Sequence, residues 1–183
     1  LNPTQPVPGV VAVSFHWPCS LVPETQWTLP HYRQALNPLR DAVQAVGGVM
    51  WGHGHPRAWR QLSTEWGRRG ILRVEDADRV LDQASLLLID NSSLAYEMAS
   101  LGRPVVLMNA PWFRRDVEHG LRFWSHPPGV QVDHPGDLVD VVLDELAHPA
   151  RSAGLRARAV EAAYAATDGH AAERAAAAIL EVI

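Results

Sequence analysis

Short runs of apolar residues alternate along the chain with stretches in which apolar residues recur every three or four positions. The first pattern is typical of strands buried on both faces of a parallel sheet, and the second of helices packed against that sheet. Because the two patterns alternate from end to end, the chain predicts an α/β, Rossmann-like, doubly wound parallel sheet of about six strands with helices on both faces. The predicted strands cover residues 10–15, 49–52, 71–74, 86–89, 105–108 and 130–132.

Helical periodicity fills most of the intervals between these strands. One amphipathic helix is predicted from Tyr32 to Val46, where two glycines end it. The segment from His16 to Pro30 has no regular period, so it is predicted to be a long loop at the carboxyl end of the first strand. Residues 1–9, with three prolines and a glycine, are expected to form a lead-in or linker, and residues 10–183 a single domain.

The turn from Asp90 to Ser93 stands out because it lies between a predicted strand and a predicted helix. Ligands of parallel sheets bind at the carboxyl ends of the strands, and hydroxyl and N–H groups at a helix N-terminus suit a phosphate. Ser92 and Ser93 are therefore candidate phosphate ligands. The alternative is that they only cap the helix. A nucleophilic serine is disfavoured, since the turn lacks the glycine-flanked elbow of hydrolases.

Two histidines, His53 and His55, stand two positions apart at the end of the second strand, so both rings can face the same way. A metal pair, a structural role in a sharp turn, and phosphate binding by His55 are the three interpretations. No third ligand stands in an obvious position, which counts against the metal. His16, His55 and Ser92 follow three different strands, and in the usual winding order their ends lie together.

Further candidates lie on the helix after Ser93 and in the loop after the fifth strand. Glu97 can accept hydrogen bonds from ribose hydroxyls, or it is simply an exposed carboxylate near the start of a helix. Arg114, with Arg115 beside it, can clamp a pyrophosphate, although an exposed arginine pair is ordinary in a loop. Three tryptophans can stack on a base or pack in the core: Trp17, Trp112 and Trp124.

Composition removes several classes of function. The net charge of −4 argues against a nucleic-acid surface, and all sixteen basic residues are arginine, which excludes lysine Schiff-base chemistry. A single cysteine, Cys19, excludes an internal disulfide and a cysteine-based zinc site. Because the chain has no cysteine cluster, no bound metal and no cofactor are expected. No run is long enough to span a membrane, so the expected location is cytoplasmic, including the inner face of the membrane.

Several short motifs occur in a characteristic order: His55-Pro56, then Asp90-Asn91-Ser92-Ser93, then Gly102-Arg103-Pro104, then Thr167-Asp168-Gly169-His170, then Glu173-Arg174. This order resembles the carboxyl-terminal half of the CDP-glycerol glycerophosphotransferases, the teichoic-acid polymerase family of the GT-B class. The resemblance covers most of the chain. The chain departs from the family at Asn91, where an aromatic residue is usual, at Phe15-His16-Trp17, and in the loop after Asn109, which lacks the usual tyrosine-rich form. These departures leave the identity of the donor open.

The resemblance implies that this half binds a nucleotide-activated donor, either CDP-glycerol or a UDP- or CDP-sugar, with His55, Ser92 and Ser93 on its phosphates. It implies no metal. The acceptor, a polymer or lipid-linked saccharide, would be held by an amino-terminal domain outside this chain, which would also carry the catalytic base and any peripheral membrane contact. Because the chain begins with Leu1 rather than methionine, we expect it to be a fragment of that longer protein.

Two other functions remain open at this stage. One is half of a UDP-sugar 2-epimerase, which shares the fold and a serine-containing phosphate turn, although its turn is normally of the Ser-Gly-Gly type. The other is a non-catalytic α/β module that recognises a nucleotide or a partner protein.

Overall fold

The computed structural model describes residues 5–19, 26–113 and 126–181. Six parallel strands form one sheet in the order β3-β2-β1-β4-β5-β6. The predicted Rossmann-like fold is therefore confirmed. The strands are β1 Val10–Phe15, β2 Val49–Gly54, β3 Leu72–Arg73, β4 Leu86–Ile89, β5 Val105–Met108 and β6 Val130–Val132.

Helices cover both faces of the sheet. They are α1 Leu29–Tyr32, α2 Leu36–Ala45, α3 Trp59–Arg68, α4 Ala77–Gln83, α5 Leu94–Ser100, α6 Leu138–Ala147, α7 Ala153–Ala163 and α8 Ala171–Leu180, with 3₁₀ turns at Pro56–Ala58 and Pro135–Asp137. Successive residues of β1 point to opposite faces. Val11 and Val13 pack with buried residues of α2, α3 and α6, whereas Val10 and Ala12 pack with α4 and α5. The sheet thus separates two apolar layers.

The predicted single helix from Tyr32 to Val46 is wrong, because the chain turns between α1 and α2. Pro38 explains the break. It occupies the first turn of α2, where its missing N–H is tolerated, but in a continuous helix its ring would clash with the carbonyl of the residue four positions earlier. The prediction relied on the spacing of apolar residues and did not take Pro38 into account.

Strand β2 is two residues longer than predicted and ends at Gly54. Two glycines allow this extension. A Cβ atom on Gly52 would lie 2.4 Å from the Trp66 ring, and one on Gly54 would lie 2.1 Å from Leu62 Cδ1. Helix α3 therefore packs directly on the backbone of β2. Because β2 continues this far, His53 lies inside the sheet and His55 at its edge.

The last helix, α8, is fully exposed along its length, including Ile179 and Leu180. The longest helix among the described residues, α7, has 11 residues. Within the described ranges, no helix is both long enough and apolar enough to cross a lipid bilayer.

Gly52→Ala tests the close packing of α3 on β2. Because the new methyl group would overlap the buried Trp66 ring, we expect the free energy of unfolding to fall by about 1–3 kcal/mol in urea titrations. Gly67→Ala is the matched control, since a methyl group there meets no atom within 4 Å and Gly67 lies inside α3. It should stabilise the protein by about 0.5–1 kcal/mol. Equal effects of the two substitutions would contradict the packing.

Candidate functional site

A cavity of about 240 Å³ opens at the carboxyl ends of β1, β2 and β4. These strands are neighbours in the sheet, so the residues that follow them meet at one edge. The cavity brings together five of the six residues predicted to form a site: His16, His55, Ser92, Ser93 and Glu97. The sixth, Arg114, lies outside the described residues, as do Arg115 and Trp124.

The buried carboxylate of Asp90 ties the loops around this cavity together. Its Oδ1 atom accepts hydrogen bonds from the backbone N–H groups of His16, at 2.8 Å, and Asn91, at 2.7 Å. Its Oδ2 atom accepts one from the N–H of Thr28, at 2.9 Å, immediately before α1. One side chain at the end of β4 thus fixes the loop after β1 at both ends. The sequence analysis treated Asp90 only as a turn residue and missed this role.

Burial raises the pKa of Asp90 to about 6, although its hydrogen bonds with the backbone of Thr28, Asn91 and His16 act in the opposite direction. The carboxyl is therefore predominantly ionised at neutral pH. An ionised carboxylate accepts hydrogen bonds only, which matches the three N–H donors around it. The same negative charge lies behind the cavity wall rather than among the side chains that line the cavity.

His55 presents a hydrogen-bond donor to the cavity. Its Nδ1 atom accepts a hydrogen bond from the N–H of Arg57 at 3.1 Å, so the proton of the neutral ring lies on Nε2. Burial, followed by the nearby His16 and Arg57 charges, lowers the pKa of His55. The neutral ring with its Nε2–H group is consequently the favoured form. A turn of 3₁₀ helix that starts at Pro56 holds the ring in this orientation.

Aromatic and cationic groups surround His55 on one side. The His16 and His55 rings have centroids 5.2 Å apart, and Trp17 lies 6.1 Å from His55. The guanidinium of Arg57 stacks over the Trp17 ring at 4.8 Å. Trp17 also packs against the apolar layer that contains α2 and α3. Trp17 therefore lies beside His55 and also contacts the apolar core.

The two serines have different surroundings. Ser92 is half-buried, and its hydroxyl accepts a hydrogen bond from the N–H of Leu94 at 3.3 Å. Ser93 is exposed and occupies the N-cap position of α5, where its side chain makes no capping hydrogen bond. Its hydroxyl lies 3.5 Å from Glu97 Oε1, one turn further along α5. The Ser92 hydroxyl keeps its O–H free to donate to a ligand, whereas that of Ser93 donates to Glu97 and would have to turn from it to reach a ligand.

The cavity also contains Ser14, His53 and Glu75, which the sequence analysis did not assign to it. His53 is 6 % exposed, and its Nδ1 atom lies 2.8 Å from the Ser14 hydroxyl. Burial lowers the pKa of His53 to about 4, despite the opposing effects of Asp76 and a hydrogen bond with the backbone of Glu75. His53 thus lines the cavity as a neutral ring that is hydrogen-bonded to Ser14.

The hydrogen bonds of the His53 and His55 rings are relevant to the hypothesis that these two histidines bind a metal ion. The ring nitrogen Nδ1 of His53 faces Ser14, and Nδ1 of His55 faces the backbone of Arg57. Across the described part of the chain, no three His, Cys, Asp or Glu side chains are grouped to hold a metal ion. That the site needs no metal stays a prediction.

A second cavity, of about 380 Å³, lies at the ends of β5 and β6 on the same edge of the sheet. Asn109 Nδ2 donates there to Asp133 Oδ1 at 2.8 Å and to Gln131 Oε1 at 3.1 Å. Trp112 lies close to His31 at this cavity, with ring centroids 5.9 Å apart. Trp112 is therefore separate from the cavity that holds His55.

A protein-family model matches most of the chain. Residues 52–181 match the family of CDP-glycerol:poly(glycerophosphate) glycerophosphotransferases. The matched range includes His55, both serines and Glu97, and it covers more than half of the chain. No curated protein sequence matches the chain.

Solved structures share the fold. A variant of the wall teichoic acid polymerase TagF soaked with CDPG superposes with a TM-score of 0.63 and 13% identity, covering 99% of this chain and 43% of TagF. TarM from S. aureus, in complex with UDP, gives 0.52 and 11%, covering 88% of this chain and 33% of TarM. The CMP-Kdo binding domain of WaaA from Acinetobacter baumannii gives 0.50 and 12%, covering 87% and 89%. The chain thus spans less than half of TagF.

Asp90→Asn tests the role of the buried carboxylate. An amide must turn its NH₂ group toward at least one of the three backbone N–H groups, so we expect the free energy of unfolding at pH 7 to fall by about 1–3 kcal/mol. Ser85→Ala, which removes a hydroxyl bonded to Val10 at the other end of the sheet, is a control for the general loss of a hydrogen bond. It should leave the order of the loop at residues 16–19 unchanged in amide hydrogen exchange.

The stability difference between wild type and Asp90→Asn depends on pH, and this dependence shows whether folding raises or lowers the pKa of Asp90. Because folding raises the pKa of Asp90 from 3.8 to about 6, its contribution to stability is complete below pH 3.8 and decreases as the pH rises to 6. His53 acts oppositely, losing its contribution as the pH falls from 6.5 to about 4, but it is present in both proteins. The advantage of wild type over Asp90→Asn should therefore shrink between pH 4 and 6. An advantage that grows would contradict the raised pKa.

Proposed function

The chain belongs to the CDP-glycerol:poly(glycerophosphate) glycerophosphotransferase family, and on that premise we propose that it is the donor-binding domain of a transferase. The whole protein would move glycerol phosphate, or a sugar, from a nucleotide-diphosphate donor to an acceptor hydroxyl. One observation carries the proposal: His16, His55, Ser92, Ser93 and Glu97 line a single cavity at the carboxyl ends of three adjacent strands. Rossmann-like sheets hold nucleotides at this edge.

The donor phosphates would bind to uncharged hydrogen-bond donors. The Nε2–H group of His55 and the hydroxyls of Ser92 and Ser93 approach the cavity from two strand ends, one on each side of β1. Hydrogen bonds from such donors to a charged phosphate are stronger than those between neutral groups. Burial lowers the pKa of His55, and the negative charge of a bound phosphate would raise it, adding a positive charge where the donor is most negative.

The remaining predicted residues fit the sugar and pyrophosphate parts of the donor. Glu97 is exposed at the mouth of the cavity, one turn into α5, where its carboxylate can accept hydrogen bonds from ribose hydroxyls. Arg114 follows β5 and would add a guanidinium to the pyrophosphate. The His16 and Trp17 rings would close the cavity beside His55.

The proposed reaction balances without a metal ion. An acceptor hydroxyl attacks the phosphorus that carries glycerol, a new P–O bond forms, and the bond to the bridging oxygen breaks. The nucleoside monophosphate leaves with the bonding electrons, and the hydroxyl proton passes to a base on the amino-terminal domain. The donors around the cavity stabilise the negative charge that develops on the leaving phosphate. This half would therefore bind the donor without turning it over.

The rival functions differ in measurable ways. A UDP-sugar 2-epimerase would interconvert two UDP-sugars without any acceptor, whereas a transferase needs one. A non-catalytic module that binds only a partner protein would not bind nucleoside diphosphates at all. The family match and the clustered phosphate-directed groups favour the transferase.

Calorimetric titration of this chain with CDP, UDP, CMP and UMP tests the donor site. We expect both diphosphates to bind more tightly than the monophosphates, because only they reach groups on both strand ends. Affinity should be the same with and without a chelator, since the cavity offers no metal-ligand set among its described residues. Equal or absent binding of all four nucleotides would overturn the proposal, and loss of binding in chelator would overturn its metal-free form.

Ser92→Ala and Ser93→Ala test the phosphate contacts. Each should weaken CDP binding roughly ten-fold or more, because a hydrogen bond to a charged phosphate contributes about 1.5–3 kcal/mol, while binding of cytidine should barely change. Only Ser92→Ala should also lower the free energy of unfolding, by about 0.5–1 kcal/mol, since only Ser92 caps a backbone N–H.

Ser100→Ala is the matched control, at the opposite end of α5, and should leave CDP affinity unchanged. If Ser92→Ala and Ser93→Ala reduce only the melting temperature, the serines are helix caps and the phosphate assignment is wrong.

A further inference from the structure

Positive charge is concentrated in one part of this acidic chain. Residues 31–70 contain six arginines and two carboxylates, whereas the whole chain has 16 basic and 20 acidic residues. The concentration covers α2 and α3, which pack side by side on one face of the sheet. It lies apart from the cavity that holds His55 and Ser92, which we call the donor cavity. The described lining of the donor cavity contains no arginine.

Four of these arginines line a groove on the surface of α3. Two adjacent cavities, of about 490 and 380 Å³, share Arg33, Glu65 and Arg68. Arg60 lines the first cavity, and Arg69 lines the second. We call the surface formed by these five residues the arginine groove. Arg60 and Arg68 are eight residues apart on α3, which places them about 80° apart around the helix and about 12 Å apart along its axis.

The arginine groove contains one carboxylate for four guanidinium groups. Glu65 Oε1 accepts hydrogen bonds from Arg69 Nε and Arg69 Nη2, at 3.1 and 2.7 Å, and lies 3.2 Å from Arg33 Nε. This carboxylate, whose side chain is 13% exposed, holds two arginines in place. Within the described part of the chain, no carboxylate forms an ion pair with Arg60 or Arg68. The groove therefore keeps a net positive charge.

The position of the groove relates it to the donor cavity. Arg60 is the second residue of α3, which begins just after His55, so the groove starts near the edge of the sheet where the cavity opens. Arg68 is the last residue of α3 and lies toward the opposite edge. A flexible chain bound along the groove would therefore lead to or from the donor cavity.

The lining chemistry identifies the kind of anion. Besides the charged residues, the two cavities are lined by Gln61, Thr64 and Asn37, whose side chains can hydrogen-bond hydroxyl groups. None of the described lining residues is aromatic, so the groove lacks the aromatic rings on which nucleic-acid bases usually stack. Repeated phosphates joined by hydroxylated aliphatic units match this lining better than single-stranded nucleic acid does.

We propose that the arginine groove binds a poly(glycerophosphate) chain, the polymer that the transferase would extend. This assignment rests on the proposed function for the identity of the polymer, but the groove and the donor cavity share no residue. Arg60 and Arg68 contact phosphates at two separate points along the chain. Arg33 and Arg69, positioned by Glu65, complete the positive wall.

The test is fluorescence anisotropy of this chain with a labelled synthetic oligo(glycerol phosphate), using the double variant Arg60→Gln/Arg68→Gln. We expect wild type to bind the oligomer, with affinity decreasing as salt is added, and the double variant to bind about ten-fold more weakly. Arg73→Gln/Arg158→Gln is the matched control, because it removes the same charge from exposed positions elsewhere and should bind like wild type.

Two further measurements separate this proposal from the donor site. CDP affinity should be equal in wild type and the groove variant, so a chain that binds the oligomer but not CDP would leave the groove supported and the proposed function wrong. Single-stranded DNA with the same number of phosphates should bind more weakly than the oligomer. Absent oligomer binding, equal losses in the groove and control variants, or equally tight DNA binding would each overturn the groove assignment.

Discussion

The arrangement of the candidate site depends on the three backbone hydrogen bonds accepted by Asp90. This side chain ends β4, yet its partners are the N–H groups at both ends of the loop after β1 and the N–H of its own neighbour. Leaving a buried ionised carboxylate without such donors would be strongly unfavourable, so the loops and the carboxylate require one another. His16 is held beside His55 because its own backbone is bound to Asp90.

A second constraint comes from the backbone of β2. Gly52 and Gly54 leave room for Trp66 and Leu62, so α3 sits directly on the strand and β2 pairs with β1 to its last residue. The glycines face α3, so His53 between them points to the opposite face of the sheet. His53 is buried there as a neutral ring beside Ser14, and His55 emerges at the edge of the sheet with an N–H group available. The length of β2 thus separates a structural histidine from a candidate ligand two residues away.

Charge is distributed differently at the two surfaces to which we assign anions. In the proposed function the donor cavity would bind phosphates through His55, Ser92 and Ser93, and Arg57 stacks on Trp17 beside His55. The arginine groove relies on guanidinium groups that exceed the single carboxylate between them. A small ligand held by directional hydrogen bonds suits the first surface. A long, repetitive polyanion suits the second, since its affinity comes from many similar contacts.

The sequence alone determined the fold class, four strands to the residue, and the set of side chains expected at one edge. Strand ends at His16, His55 and Ser92 could be placed together because the winding order of such sheets is restricted. Local patterns could not show the bonds of Asp90, whose partners His16 and Thr28 are 74 and 62 residues distant. Nor could they separate His53 from His55, since the burial of each ring depends on how far β2 pairs with β1. These features depend on tertiary packing, because it brings groups that are remote in sequence into a buried environment. There each polar group needs a hydrogen-bond partner.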